Sequence, residues 1–302
     1  MSSVLEYVGV SRSFKGVPAL RDVSFSVGEG EVVGLIGRNG AGKTTLINIA
    51  IGLLYPGSGD VRVFGLSPTG NPVAVKARIG YVSEEGHLRG GRTIRELIAF
   101  HRGLFDVWDD KVEREILDRF GLSVNARISR LSKGQRRQVG LLCAVCHRPD
   151  LLLLDEPASG LDPAARREFL EAAILLLNRE GTTILFSSHQ MTDVERLGGR
   201  IVLLDDGKVK LDRELDRVRE EMFVAIVPRS SVPDAGTLEK IPGCLRVRSV
   251  RDEWHVVVEG ADEDVHQRLK SSIGHNGIPC VRMPLEEIFI ELVGGTRNKE
   301  IA

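Results

Sequence analysis

The 302-residue sequence is poor in aromatics, at 5%, and has only four cysteines, Cys143, Cys146, Cys244 and Cys280. Four scattered thiols cannot build the dense cross-linking of a small secreted scaffold. Neither charge sign prevails, since 41 basic side chains meet 42 acidic ones for a formal net charge of -1. That balance excludes a chain-wide attraction for nucleic acid and leaves room only for a local basic patch. Long apolar runs are also missing. "AAILLL" and "LLLL" fall far below the roughly 20 residues of a bilayer-crossing helix. The opening "MSSVLEYVGV" lacks the charged start and apolar stretch of a signal peptide. The expectation is a cytosolic protein whose membrane role, if it has one, needs a partner.

What is present is a chain of 42% apolar residues, long enough for roughly two domains. One local pattern, "CAVCH" from Cys143 to His147, matches the C-x-x-C-H of covalent haem attachment. It continues the apolar "VGLLCAVC" run, which reads as a buried helix face, so these thiols are expected to be free and packed.

Strand and helix signals alternate. "EVVGLIG" is a short apolar run ending in glycine, and "KTTLINIAIGLL" follows as a helix. "GDVRVFG" and "RIGYV" read as strands, and Thr93 with Glu96 suggests a capping box opening helices that run to Phe120. "DLLLLDEP" is an apolar strand ending in acids. The next helix has Pro163 at its first position and Gly181 past its end. "TTILFSSH" is a strand, and "RIVLLDDGKVKL" predicts a hairpin around Asp206 and Gly207. Such alternation predicts a mainly parallel sheet with ligands at the strand C-termini, where Lys43, Asp155 and His189 fall. After about residue 215 the order becomes β-α-β-β-α-β through "FVAIV", "CLRVRSV", "WHVVVEG" and "CVRM". That predicts a small α+β, ferredoxin-like domain over 216–302.

Gly37 to Thr45, "GRNGAGKTT", fits G-x-x-x-x-G-K-[ST] with a strand before it and a helix after. Gly37, Asn39, Gly40, Ala41 and Gly42 would wrap backbone N–H groups around phosphate, aided by the helix dipole. Lys43 would contact the β- and γ-phosphates. Thr44 would offer its hydroxyl to Mg²⁺, and Thr45 would meet a phosphate oxygen. Asp155 can hold Mg²⁺ and Glu156 can take a proton from the attacking water, while His189 can donate to the γ-phosphate. A nucleotide with Mg²⁺ is the implied ligand set.

The order "GRNGAGKTT", "LSKGQRRQ", "LLLLDEP", "SGLD" and "SSH" resembles the ATPase subunit of ABC transporters, over about Val4 to Leu215. The resemblance implies an α/β fold, a P-loop NTPase domain of the ABC type over 1–215 with a helical subdomain at about 86–148. It also implies that Ser132, Gly134 and Gln135 contact ATP held by a second copy, or by a paralogous subunit, in a head-to-tail dimer. Phe14 matches the ring stacked on adenine, and Asp162 the loop linking the two sites. Lys133 stands where the family commonly has glycine, which requires an outward side chain.

Glu84 stands where the family has a glutamine touching Mg²⁺ and the attacking water, with Ser83 before it and Glu85 after. The segment from about Gly86 to Phe120 is where such ATPases dock an integral membrane subunit. The ending "PLEEIFIELVGG" resembles ATPases that serve exporter-type membrane subunits on separate chains. The implied protein is an ATP-hydrolysing exporter subunit, peripheral on the cytoplasmic face. A soluble ABC-type ATPase working on DNA or ribosomes is the alternative, but its long coiled-coil insertion or tandem cassette is missing. Nucleic acid is therefore not an expected partner.

Overall fold

The computed structural model describes residues 3–84, 88, 90–178, 181–232, 234–273, 279–282 and 284–293. The chain forms two compact units, Met1–Asp212 and Arg213–Ala302.

In the first unit, β1 (Ser3–Phe14) and β2 (Val17–Gly28) form an antiparallel hairpin, and β4 (Ser58–Val63) pairs with the other side of β1. Alternate residues of this sheet face inward, among them Leu5, Tyr7, Val10, Leu20, Val23 and Phe25. They join one apolar core with Leu46, Ile47 and Ile49 of α1 (Lys43–Ala50) and with Val33 and Leu35 of β3 (Val32–Ile36). The buried Tyr7 hydroxyl donates to the Leu46 carbonyl at 3.0 Å, so its polar end is satisfied inside the core. This sheet corrects the single mainly parallel sheet expected from the sequence, because "GDVRVFG" pairs with the N-terminal hairpin. The glycines and polar residues of "GVSRSFKG" mask the period-2 pattern of β1.

The remaining strands of this unit are β5 (Ile79–Val82), β6 (Leu151–Leu154), β7 (Thr183–Ser188), β8 (Arg200–Asp205) and β9 (Lys208–Glu214). With β3 they form a six-stranded sheet in the order β5-β6-β7-β3-β8-β9. The pairs β5–β6, β6–β7, β7–β3 and β3–β8 are all parallel. All of β6 and β7 is buried, which is why β6 reads as an unbroken apolar run and β7 carries three successive apolar residues rather than an alternation. Asp206 and Gly207 both have positive φ, at 47° and 73°, as the two-residue turn between β8 and β9 requires.

The short α2 (Pro72–Lys76) precedes β5, and the helical insertion lies between β5 and β6. It contains α3 (Ile94–Arg102), α4 (Asp110–Arg119) and α5 (Lys133–Val145). The Thr93–Glu96 capping box forms as its spacing predicts. Cys143 and Cys146 are free and buried at the end of α5, and burial pushes the Cys143 thiol up to about 12. Glu85 and Gly86 lie outside the described residues. Two further helices, α6 (Pro163–Asn178) and α7 (Met191–Leu197), flank β7 in the chain.

The second unit opens with α8 (Leu215–Glu221) and continues β10 (Met222–Pro228), α9 (Ala235–Glu239), β11 (Cys244–Val250), β12 (Glu253–Glu259), α10 (Asp262–Ile273), β13 (Cys280–Val281) and α11 (Leu285–Val293). Its strands run β11-β12-β10-β13, antiparallel at every pair, which is the ferredoxin-like arrangement. Phe223, Trp254 and Val256 of its sheet pack with Leu238, Val265 and Leu269. Of "PLEEIFIELVGG", residues 284–293 are described; Gly294 and Gly295 are not.

Candidate functional site

The chain turns sharply between the end of β3 and Lys43. A Cβ on Gly37 would sit 2.3 Å from the Leu204 carbonyl oxygen, so no side chain fits. Gly42 has φ +109°, and a Cβ there would lie 2.7 Å from the Ala19 carbonyl. Glycine at both ends is thus a steric requirement. Asn39 and Gly40 are exposed at the tip, and Ala41 is buried beneath them.

Lys43, 5% exposed, donates through Nζ to the Gly37 carbonyl at 2.7 Å and lies 3.0 Å from Glu156 Oε1. Thr44 Oγ1 donates to Asp155 Oδ1 at 3.1 Å, and Thr45 follows half-buried. Glu156 has φ +45°, a left-handed backbone that is uncommon outside glycine and here carries a functional candidate. Its surroundings fix it. Its N–H donates to Ser187 Oγ at 2.8 Å, and Ser187 Oγ donates to Asp155 Oδ1 at 2.7 Å. Its carbonyl accepts from Arg137 Nη1 at 2.9 Å. Its side chain meets His189 Nδ1 at 2.7 Å. One cluster therefore holds Lys43, Thr44, Asp155, Glu156 and His189.

Burial raises the Asp155 pKa above the ordinary carboxylate range, the bonds from Ser187 and Thr44 oppose this, and the charges of Glu156 and Glu84 add to it. A buried carboxylate beside a hydroxyl, with only hard oxygen donors, fits Mg²⁺. The glycine cradle fits a phosphate chain.

The other candidates lie outside this cluster. Ser132 caps α5 in a reciprocal box. Gln135 N–H donates to Ser132 Oγ at 3.1 Å, and Ser132 N–H donates to Gln135 Oε1 at 3.0 Å. Both residues are exposed, at the N-terminus of a 13-residue helix, with Gly134 half-buried between them. Lys133 does not simply point outward: its Nζ would be 2.8 Å from a Cβ on Gly160, so it crosses the "SGLD" loop. Asp162 Oδ1 accepts from Ala164 and Ala165 N–H at 3.1 and 3.0 Å and so caps α6. Glu84 is exposed and accepts from Ser159 Oγ at 3.5 Å. Phe14, 41% exposed, ends β1 with the Arg12 guanidinium 5.1 Å from its ring centroid. The hairpin it belongs to passes against Gly42 at Ala19 and Leu20.

Two residues in this region escape sequence reasoning. Ser187 sits within "SSH" and looks like strand filler. Arg137 sits within "GQRRQ" and looks like helix surface. The apolar residues from Val139 onward, at helical spacing, were the available sign that Arg137 turns inward.

A glycine cradle between strand and helix, with a buried lysine and paired acids at the end of β6 in the same sheet, defines a nucleoside-triphosphate hydrolase of the P-loop class. Comparison with known proteins narrows the class. The family model described as "ABC transporter" matches residues 20–159. The Nod factor export ATP-binding protein I of Rhizobium leguminosarum bv. viciae is 36% identical over 304 residues, covering 98% of this chain and 96% of that protein. The uncharacterized ABC transporter ATP-binding protein YhaQ of Bacillus subtilis is 31% identical over 296 residues, covering 94% and 97%. A solved ATP-binding subunit of an ABC transporter superposes with a TM-score of 0.65 at 32% identity, over 72% of this chain and 92% of that one. The dimeric ATP-binding cassette MJ0796, in a post-hydrolysis state bound to ADP and Pi, gives 0.62 at 25% identity, over 70% and 98%. The chain belongs to the ATP-binding subunits of ABC transporters, and its enzymatic activity is ATP hydrolysis.

Proposed function

We propose that this subunit powers an exporter by closing head to tail on a second copy, or on a paralogous subunit, around two ATP molecules beneath separate membrane subunits. The division of labour within one chain carries this reading. Lys43 and His189 both contact Glu156, and Thr44 and Ser187 bond Asp155 beside it, whereas Ser132 stands exposed in the capping box at the N-terminus of α5. The likeness to a dimeric cassette bound to ADP and Pi supports it, as does the exporter relative at 36% identity.

The site's residues account for the chemistry. An arriving γ-phosphate takes the Lys43 ammonium from Glu156, and Glu156 becomes a free carboxylate able to receive a water proton. His189 keeps that carboxylate oriented through its 2.7 Å contact. Thr44 and Asp155 would hold Mg²⁺, which supplies charge neutralisation at the phosphate oxygens. Ser132 and the α5 N-terminus then complete the partner's site through a hydroxyl and a favourable dipole.

Glu84 and Mg²⁺ are coupled in this scheme. A glutamate keeps the acceptor of a glutamine, loses its donor and adds a charge that already raises the Asp155 pKa. Glu84→Gln is expected to retain turnover and to need less Mg²⁺ for half-maximal rate, whereas Glu84→Ala weakens turnover. ATPase rate against free Mg²⁺ at saturating ATP measures this; three superimposable curves make Glu84 a bystander.

The helical insertion is the proposed membrane contact. A cavity of about 440 Å³ between β5 and the insertion is lined by Leu53, Tyr81, Phe105, Cys143 and His147. Leu104 and Val107 nearby in sequence are 60% and 54% exposed, large apolar side chains that an interface would cover. Affinity purification from native membranes is expected to recover a multi-spanning protein with the wild type and to lose it with Leu104→Glu, which leaves ATP hydrolysis by the isolated subunit unchanged. Recovery of ribosomes or DNA instead would favour the soluble alternative. No helix among the described residues is long and apolar enough to cross a membrane.

A further inference from the structure

Arg137 heads the fully buried side chains by volume, and it is 1% exposed. Its guanidinium donates to three main-chain carbonyls on two separate loops. Nη1 bonds the carbonyls of Glu156 and Pro157 at 2.9 and 2.6 Å, and Nη2 bonds that of Glu84 at 2.7 Å. Burying a cation is costly unless its donors are used, and an apolar side chain would fill the same volume without that cost. A planar fork that reaches both loops is what an apolar residue cannot provide.

The position of this arginine gives the fork a direction. Arg137 lies on α5, five residues past Ser132, or about 7.5 Å along the helix axis. Ser132 caps that helix, so the capping loop and the guanidinium sit on one continuous element. At the far end stands Glu156, whose left-handed backbone is held on one side by Ser187 and on the other by Arg137. The third carbonyl belongs to Glu84, beside the Asp155 carboxylate that senses its charge.

We propose that Arg137 is a positioning residue that couples the two ATP sites of the dimer: engagement of the partner's nucleotide by Ser132 is passed through α5 to the Glu84 and Glu156 loops of the same chain. The inference rests on the head-to-tail dimer proposed above. Each chain would then align its own general base only when its capping loop has closed on the neighbour's ATP. Hydrolysis at one site would follow occupancy of the other.

Arg137→Lys keeps the charge, but a single ammonium cannot span both loops. A folded variant, checked by its thermal midpoint, is expected to show a KM for ATP within about twofold of wild type and a kcat roughly 10- to 100-fold lower, the scale of a small misplacement of a catalytic group. Its Hill coefficient for ATP should fall from above one to about one. A brace that merely holds the fold would leave the Hill coefficient alone. Wild-type kcat and Hill coefficient in the variant overturn the proposal, as does a loss of kcat with unchanged cooperativity or a matching rise in KM. A wild type without cooperativity overturns it too. Arg137→Gln, shorter and still able to donate to one carbonyl, carries the same readouts if the lysine variant does not fold. The dimer reading is judged separately by Glu156→Gln. If that protein stays monomeric with ATP and Mg²⁺, the dimer itself is refuted; if it dimerises while Arg137→Lys behaves as wild type, only the coupling is.

Discussion

Glu156→Gln is expected to reduce ATP turnover by roughly 10²- to 10⁴-fold, the contribution of a positioned general base, while ATP binding survives. The geometry favours a clean substitution. Glu156 is 5% exposed, with Lys43 Nζ at 3.0 Å on one oxygen and His189 Nδ1 at 2.7 Å on the other. Glutamine has the same size, and its carbonyl can face Lys43 while its amide faces His189. The histidine must then accept at Nδ1 where it donated to the carboxylate, which one tautomer of the neutral ring allows. What is lost is basicity. With hydrolysis blocked, the ATP-bound head-to-tail dimer should persist and appear by gel filtration with ATP and Mg²⁺. Full turnover in this variant would remove Glu156 from the role of base, and its thermal midpoint reports whether the site has collapsed.

The sequence made the catalytic end of this molecule legible and concealed its supports. Gly37, Lys43 and Asp155 are readable because phosphate binding demands those residue types next to a strand and a helix, and β3, the loop and α1 supply that context. β6 is readable because burial on both faces leaves it wholly apolar, and β7 because Ile184, Leu185 and Phe186 run together before Ser187. The N-terminal sheet is harder, since Gly9 and the polar residues of β1 interrupt its alternation and pairing with β4 crosses much of the domain. Arg137 and Ser187 were hidden for a different reason. Their value lies in what they touch across the fold, with Arg137 reaching Glu84 from 53 positions away. Helical spacing can turn Arg137 inward, but it does not say which loops the guanidinium reaches. Lys133 is similar: its course over Gly160 is a tertiary fact, and the sequence showed only the missing glycine.

Mixing two inactive variants is expected to restore ATP hydrolysis if Ser132 acts on the partner's nucleotide. Ser132→Arg replaces a small exposed hydroxyl with a long cation and breaks the capping box with Gln135, whose loss costs α5 about 1 kcal/mol. It should prevent ATP-driven dimerisation of the pure variant while leaving the Lys43 cluster, and so nucleotide affinity of the monomer, largely intact. Lys43→Ala has the opposite defect. It removes the cation beside Glu156, leaves that buried carboxylate with His189, and takes away the group that meets the β- and γ-phosphates. Each variant alone has two damaged composite sites per dimer. In the mixed dimer both lesions can fall on one site, where the Lys43→Ala cradle faces the Ser132→Arg loop. The other site pairs an intact cradle with an intact loop. If half of the dimers are mixed and the sites work independently, activity of roughly a quarter of wild type is expected. If each base waits on its own chain's Ser132, as the Arg137 coupling requires, mixed dimers form with little hydrolysis. A site confined to one chain predicts no recovery, because neither variant then holds a complete set of groups. ATPase rate and ATP-driven dimerisation of the one-to-one mixture against each pure variant are the measurements, and a mixture that neither dimerises with ATP nor exceeds the mean rate of the two pure variants would sink the trans arrangement.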